Sequence, residues 1–286
     1  MSLAPSPIVH HPFNFGVGGF NFTGFGLAVL LAFLIAQIVA ERELARRGHD
    51  VEAKAVSDVL FASLLGTIVG AKLYYVTIIT HDWHDLWSRG GFVFWGGFLG
   101  ALVLCALTIR YKKLSFIRFA DVAGIAIAAG YAVGRTGCWA VGDDYGKPYN
   151  GPLAVAFPQG APPSTVLEME RTFHMQFPVG TDPQMVVSVY PTQLLEVILG
   201  LVMFGILWRM RDHEHAEGWL FGVWCILAGI ERFIVEFFRA KDDRFGYLLG
   251  LSTAQAIALA IVVAGMVVVA RYSRQQGLTA RANTAG

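Results

Sequence analysis

Apolar residues gather along this chain into blocks of about 17–25 residues with few charges inside them, the spacing of helices that cross a bilayer. Seven such spans are predicted, at 22–41, 55–78, 92–109, 117–134, 190–208, 218–238 and 252–270. The fourth is read as ending at Gly134-Arg135-Thr136-Gly137, where glycines and a charge interrupt the apolar run. Gly66 and Gly70 form a G-x-x-x-G, as do Gly96 and Gly100, a spacing that lets membrane helices pack closely. One long connection, 142–189, is rich in Pro and Gly and is read as a cap. The fold class expected is an all-α integral membrane protein, a single membrane domain over 1–286 with 142–189 as an outer-face insertion. No repeat at a fixed period suggests a repeat-built transporter.

Composition agrees with that pattern. Hydrophobic residues make up 55% and charged residues 15%, against about 45–50% and about 25% in soluble domains. Residues 1–21 lack the basic start, apolar run and cleavage site of a signal peptide, so the first span is expected to insert uncleaved. Cys105, Cys138 and Cys225 are odd in number and have no C-x-x-C spacing, which argues against disulfides or a zinc site. No metal, cofactor or nucleic-acid partner is expected.

The net charge of +1 conceals an asymmetry. One set of span ends carries Arg42, Arg46, Arg47, Lys54, Arg110, Lys112, Lys113, Arg118, Arg209, Arg211, Arg271, Arg274 and Arg281. The other carries Arg89, Arg135, Lys147, Arg171, Arg239, Lys241 and Arg244, spread over longer loops. Lys and Arg concentrate in cytoplasmic loops, so the first set is expected inside, with the N-terminus outside and the C-terminus cytoplasmic.

A charge at the centre of a span costs about 2.5–3.5 kcal/mol even on the lenient insertion scale, so each one needs a partner or a purpose. Lys72, Glu196 and Arg232 fall about 10 Å below the outer ends of their spans, counting about 1.5 Å per residue. Arg232, Glu236 and Arg239 are spaced to share one helix face, and so are Gln193 and Glu196. These positions predict a polar cavity in the outer half, lined by the second, fourth, fifth and sixth spans. The bland alternative is that the charges pair internally or snorkel. Arg135 and Arg232 suit a planar, doubly accepting anion such as a phosphodiester, and glycines beside Arg135 permit close approach. An anionic lipid headgroup is the expected ligand.

Four motifs, GRTGCWAVGDDYG from 134, FVFWGGFLGA from 92, YPTQLLE from 190 and ERFIVEFFRAKD from 231, resemble those of the prolipoprotein diacylglyceryl transferase family in order and spacing. The resemblance implies seven membrane helices and transfer of diacylglyceryl from phosphatidylglycerol to the lipobox cysteine thiol of a preprolipoprotein, releasing glycerol phosphate. It implies phosphatidylglycerol, a preprolipoprotein signal peptide and membrane lipid as partners, and a bacterial plasma (inner) membrane as location. By resemblance, Arg135 is the essential arginine of G-R-x-G-N and Gly146 its later glycine. Asp143 stands where the family usually has Glu. Glu196 is the acid of P-[ST]-Q-L-x-E, with Gln193 beside it, and Arg232, Glu236 and Arg239 match R-x-x-x-E-x-x-R. Asp121 matches a family aspartate read as structural.

The family's H-G-G is Trp95-Gly96-Gly97 here, its next asparagines are Cys138 and Val141, and the usual first-span tyrosine is Phe25. None of the histidines lies in a span. A thiol of pKa about 8.5 needs a base or a positive field to attack at neutral pH. Asp143, Asp144 and Glu196 are the candidate proton acceptors, and the arginines the candidate field. Asp143-Asp144 reads equally well as a turn before Tyr145-Gly146. Cys138 is more simply a small buried hydrophobe than a nucleophile, and Trp95 an interfacial anchor or pocket wall. A relative that binds anionic phospholipid in the same cavity, silent or with another acceptor, is the alternative.

Overall fold

The computed structural model describes residues 8–17, 20–88, 91, 93–240 and 250–283, with only the backbone described at 17, 20–22 and 274–283. Arg89, Phe92, Lys241 and Arg244, and the side chains of Arg274 and Arg281, lie outside the described residues. The protein is a multi-pass helical membrane protein. Among the described residues, six helices are long and apolar enough to cross a membrane: Gly24–Arg46, Asp50–Thr80, Phe94–Tyr111, Phe116–Val141, Thr192–Met210 and Thr253–Ser273. The seventh expected span is a helix of 17 residues, Trp219–Val235, or about 26 Å at 1.5 Å per residue, the short end of what spans a bilayer.

In chain order the elements are a hairpin of β1 (Asn14–Val17) and β2 (Phe20–Thr23), then α1 (Gly24–Arg46), α2 (Asp50–Tyr74), α3 (Phe94–Tyr111) and α4 (Phe116–Val141). There follow β3 (Val155–Ala156), α5 (Val166–Phe173), β4 (Ser188–Val189), α6 (Thr192–Met210), α7 (Trp219–Val235) and α8 (Thr253–Asn283). The backbone divides into two compact units, one of residues 37–123 and the other of residues 1–36 with 124–286.

In the 37–123 unit the two G-x-x-x-G motifs meet. A Cβ on Gly70 would lie 2.9 Å from the Cα of Gly100 and press on the Gly96 carbonyl, and one on Gly66 would lie 2.9 Å from the Cα of Ala101. The backbones of α2 and α3 therefore touch, as small-residue seams in lipid require. Fully buried Asp121 accepts from Arg47 at 2.7 Å, Arg47 also binds Glu43 at 2.8 Å, and Arg118 binds Glu52 at 2.9 Å. That network ties helix ends together, a structural role for Asp121.

In the other unit α4 does not stop at Gly134. It continues to Val141, because Gly137 is a contact surface: a Cβ there would meet the Cβ of Ala28 on α1 at 2.8 Å. Segment 142–189 has its own apolar centre, with Tyr145 stacked on Phe157 among Val155, Val166, Met169, Val187 and Val189. Ser164 Oγ accepts from the Phe157 amide at 2.9 Å and donates to the Val187 carbonyl at 2.8 Å, closing that small layer.

Candidate active site

Tyr131, Arg135 and Cys138 share one face of α4 at i, i+4 and i+7. The chain leaves the helix through Gly142 (φ 70°) and turns at Asp144, itself left-handed at φ 53°, a conformation Asp tolerates better than most residues. The start of α6 holds that turn: Thr192 Oγ1 donates to the Asp144 carbonyl at 2.7 Å, and Gln193 Nε2 to the Asp143 carbonyl at 2.6 Å.

Arg239 arrives differently from the expected shared helix face. α7 ends at Val235, with Glu236 capping it, and residues 238–240 run antiparallel to 145–147. The Lys147 amide donates to the Phe238 carbonyl at 2.8 Å, and Gly146 bridges Arg239. The reason is steric: a Cβ on Gly146 would stand 2.5 Å from the Phe238 oxygen and 2.6 Å from the Tyr190 Cβ, so only glycine lets the segments approach. The Arg239 side chain is thereby delivered to Asp144.

Asp144 joins two arginines, its Oδ2 2.9 Å from Arg135 and its Oδ1 2.5 Å from Arg239. Arg135 Nη2 is hydrogen-bonded to Glu196 Oε2 on α6, and its Nη1 also reaches the Cys138 sulfur at 3.2 Å. Arg232 binds Glu236 at 2.8 Å, and Ser252 Oγ donates to the other Glu236 oxygen at 3.0 Å. The charge of Arg232 also acts on Asp144. The Tyr131 hydroxyl lies 3.2 Å from Glu196 Oε1 and 3.0 Å from Glu231 Oε1.

Arg135, Glu196, Gln193, Asp144, Gly146 and Arg239 thus meet at one place, with Arg232 and Glu236 beside them. Asp143 is adjacent, but it is Asp144 that binds the guanidinium groups. The Asp143 carboxyl lies near the Cys138 sulfur, while Asp143 Oδ1, Arg135 Nε and Gln193 Oε1 are buried with no hydrogen-bond partner among the described residues. Cys138, Asp143 and Asp144 have donor atoms within 4.8 Å of one another. Both Asp144 oxygens are taken by arginines, so cations of the chain already balance that charge.

Two other expected members, Lys72 and Trp95, belong to the 37–123 unit. Lys72 donates to the carbonyls of Asp85 (3.2 Å) and Ser88 (2.6 Å) and to Ser88 Oγ (3.0 Å), all within the 37–123 unit. An ammonium satisfied by backbone carbonyls is a structural clasp. Trp95 is in the same unit, 50% exposed, with its ring edge-on to Phe94. Tyr131 was not singled out from the sequence; its signal is a tyrosine one turn before Arg135 in a stretch of α4, 122–134, that is otherwise apolar.

Burial pushes the Asp143 carboxyl above the usual range, reinforced by the charge of Asp144. Burial opposes ionisation of Asp144 too, yet Arg239 and Arg135 outweigh it and hold that carboxyl below its ordinary value of 3.8. The stability Asp144 confers is therefore fully present above that ordinary value and drains as pH falls through the depressed one. Thermal unfolding of purified protein below pH ~4 should lose stability steeply, and Asp144→Asn should flatten that loss. Protonation of Asp143 acts oppositely, relieving the cost of its buried charge on acidification.

A family model described as prolipoprotein diacylglyceryl transferase matches residues 12–271. The chain is similar to a protein of Geobacter sulfurreducens named phosphatidylglycerol–prolipoprotein diacylglyceryl transferase, 29% identical over 275 residues, covering 93% of this chain and 96% of the relative. Proteins with that name from Xanthomonas oryzae and Xanthomonas axonopodis are each 30% identical over 275 residues, covering 92% of this chain and 91% of the relative.

Proposed function

The chain belongs to the prolipoprotein diacylglyceryl transferase family, and on that basis we propose that it moves diacylglyceryl from phosphatidylglycerol to the cysteine thiol of a prolipoprotein. The observation carrying the reading is the buried arginine cluster with unused polar atoms at its centre, Arg135 Nε, Gln193 Oε1 and Asp143 Oδ1. Each such group left unpaired costs about 1–3 kcal/mol, which a headgroup with both donors and acceptors relieves. The guanidinium of Arg135, aided by Arg239 and Arg232, binds the phosphodiester; Gln193 and Glu236 hold the surrounding frame, and Gly146 lets it close.

In the reaction the thiol sulfur attacks the glyceryl carbon, the carbon–oxygen bond to phosphorus breaks, and glycerol phosphate leaves with the bonding pair. The arginines stabilise charge gathering on that oxygen, where fixed charge is most effective. The thiol proton passes to a carboxylate, with Asp143 the acid at hand. Trp95 is assigned the role of an interfacial anchor. Loops rich in Lys and Arg support a cytoplasmic C-terminus and an external N-terminus in the bacterial inner membrane, with segment 142–189 outside and the signal peptide of the acceptor approaching from that face.

The test combines purified protein, phosphatidylglycerol and a lipobox peptide, reading peptide mass and released glycerol phosphate. A diacylglyceryl mass gain with equal release is expected, and Arg232→Ala should slow both by about tenfold or more, as loss of a charge-assisted contact predicts. Lipid binding with no mass gain would overturn the transferase reading and leave a lipid-binding relative.

A further inference from the structure

Every arginine of this cluster is already occupied by an acid of the protein. Arg135 holds Asp144 and Glu196, Arg239 holds Asp144, and Arg232 holds Glu236. Among the described residues, fully ionised Asp143, Asp144, Glu196, Glu231 and Glu236 would outnumber Arg135, Arg232 and Arg239, and an incoming phosphodiester would meet net repulsion. A proton held among those acids removes it.

Its position follows from Tyr131. A phenol has one hydrogen to donate, yet its oxygen sits within hydrogen-bond distance of two carboxyl groups, on Glu196 and Glu231. The hydroxyl donates to one, so the other must donate to it. Glu196 has Arg135 on its second oxygen and keeps its charge. Glu231, 8% exposed, is the member that carries the proton, giving a directed chain from Glu231 through Tyr131 to Glu196.

We propose that Tyr131 and Glu231 are positioning residues that store one proton and deliver it to Glu196 when a lipid phosphate takes Arg135. The inference rests on the lipid-binding reading above. As the phosphate engages Arg135, Glu196 loses its counter-ion; the hydroxyl hydrogen of Tyr131 moves to Glu196 and the carboxyl hydrogen of Glu231 moves to Tyr131. Glu196 becomes neutral and Glu231 ionised beside Arg232, so protons balance with none drawn from solvent.

The groups facing this chain are few. Among the described residues, α4 contributes Arg135, α6 Glu196, α7 Glu231 and Arg232, and the turns contribute Asp144 and Arg239. Residues 24–36 of α1, against which α4 packs, and residues 253–270 of α8 carry no ionisable side chain.

The experiment measures binding of short-chain phosphatidylglycerol to detergent-purified protein by calorimetry, from mildly acidic to mildly alkaline pH and in buffers of different ionisation enthalpy. The wild type is expected to bind with level affinity and no net proton uptake. Glu231→Gln and Tyr131→Phe, both near-isosteric, should take up about one proton per lipid and lose affinity by up to ~tenfold per pH unit as pH rises. A purely structural role would lower affinity equally at every pH, and parallel profiles in all three proteins overturn the inference. In the free protein, infrared spectroscopy should show a protonated-carboxyl band that Glu231→Gln removes, a readout independent of binding; its persistence also overturns the inference. Binding no stronger than to phosphatidylcholine would remove the lipid-binding reading itself.

Discussion

Arg135→Lys should lower the turnover of diacylglyceryl transfer by about 10²–10³-fold, the range seen when one fixed donor to developing charge is lost. Lysine keeps the positive charge, so the test isolates geometry. One guanidinium here reaches Asp144, Cys138 and Glu196 while leaving Nε without a partner, whereas an ammonium is a point charge with no fork. The loss should appear in kcat with a smaller change in KM, because the fork matters most where charge accumulates on the leaving phosphate. Arg135→Ala should additionally destabilise the fold by about 3–5 kcal/mol, since it breaks the pairs with both Asp144 and Glu196. Near-normal turnover in Arg135→Lys would show that charge alone suffices.

Gly146→Val is the second large effect, and it acts without touching any charge. Its Cβ would be driven toward the Phe238 oxygen, the Tyr190 Cβ and, at 2.9 Å, the Thr192 Cγ2. The segment 238–240 must then separate from 145–147, and Arg239 retreats from Asp144. Overpacking of this kind costs about 1–3 kcal/mol, and a displacement of about 1 Å in a positioning group costs about 10²-fold in rate. The expected outcome is a protein that still inserts and purifies, with a lowered melting temperature and transfer reduced about a hundredfold. A variant with unchanged turnover would detach the Gly146–Arg239 bridge from function.

The membrane helices and most of the arginine cluster could be read from sequence for one physical reason. Charge inside an apolar block is so unfavourable that Arg135, Glu196 and Arg232 announce themselves. Pairing could not be read in the same way. Lys72 has the same signature, yet it is satisfied by the carbonyls of Asp85 and Ser88, which no charge pattern encodes. Arg239 lies at helical spacing from Arg232, but the backbone unwinds before it because pairing with residues 145–147 outcompetes another helical turn. The family pattern pointed to Asp143, whereas the left-handed turn at Asp144 aims the second aspartate at the arginines. Tyr131 was hidden by its chemistry, since a single phenol in a helix is more often packing than a proton path. The GRTG sequence looked like a helix end, and only the neighbouring Ala28 shows why its glycine belongs inside one.

The brevity of α7 bears on how a substrate reaches the arginines at all. A 17-residue helix covers about 26 Å, a few ångströms less than a typical hydrocarbon core of about 30 Å. Lipids beside such a helix must thin to match it, drawing their headgroups toward the bilayer centre at a cost of only fractions of a kcal/mol per ångström. Arg232 lies in its last turn and Glu236 caps it, so on the proposed function a thinned leaflet would bring phosphate down to the guanidinium groups while the acyl chains stay in hydrocarbon. On that reading the donor lipid need not be pulled out of the membrane, because the membrane surface is lowered to meet the protein.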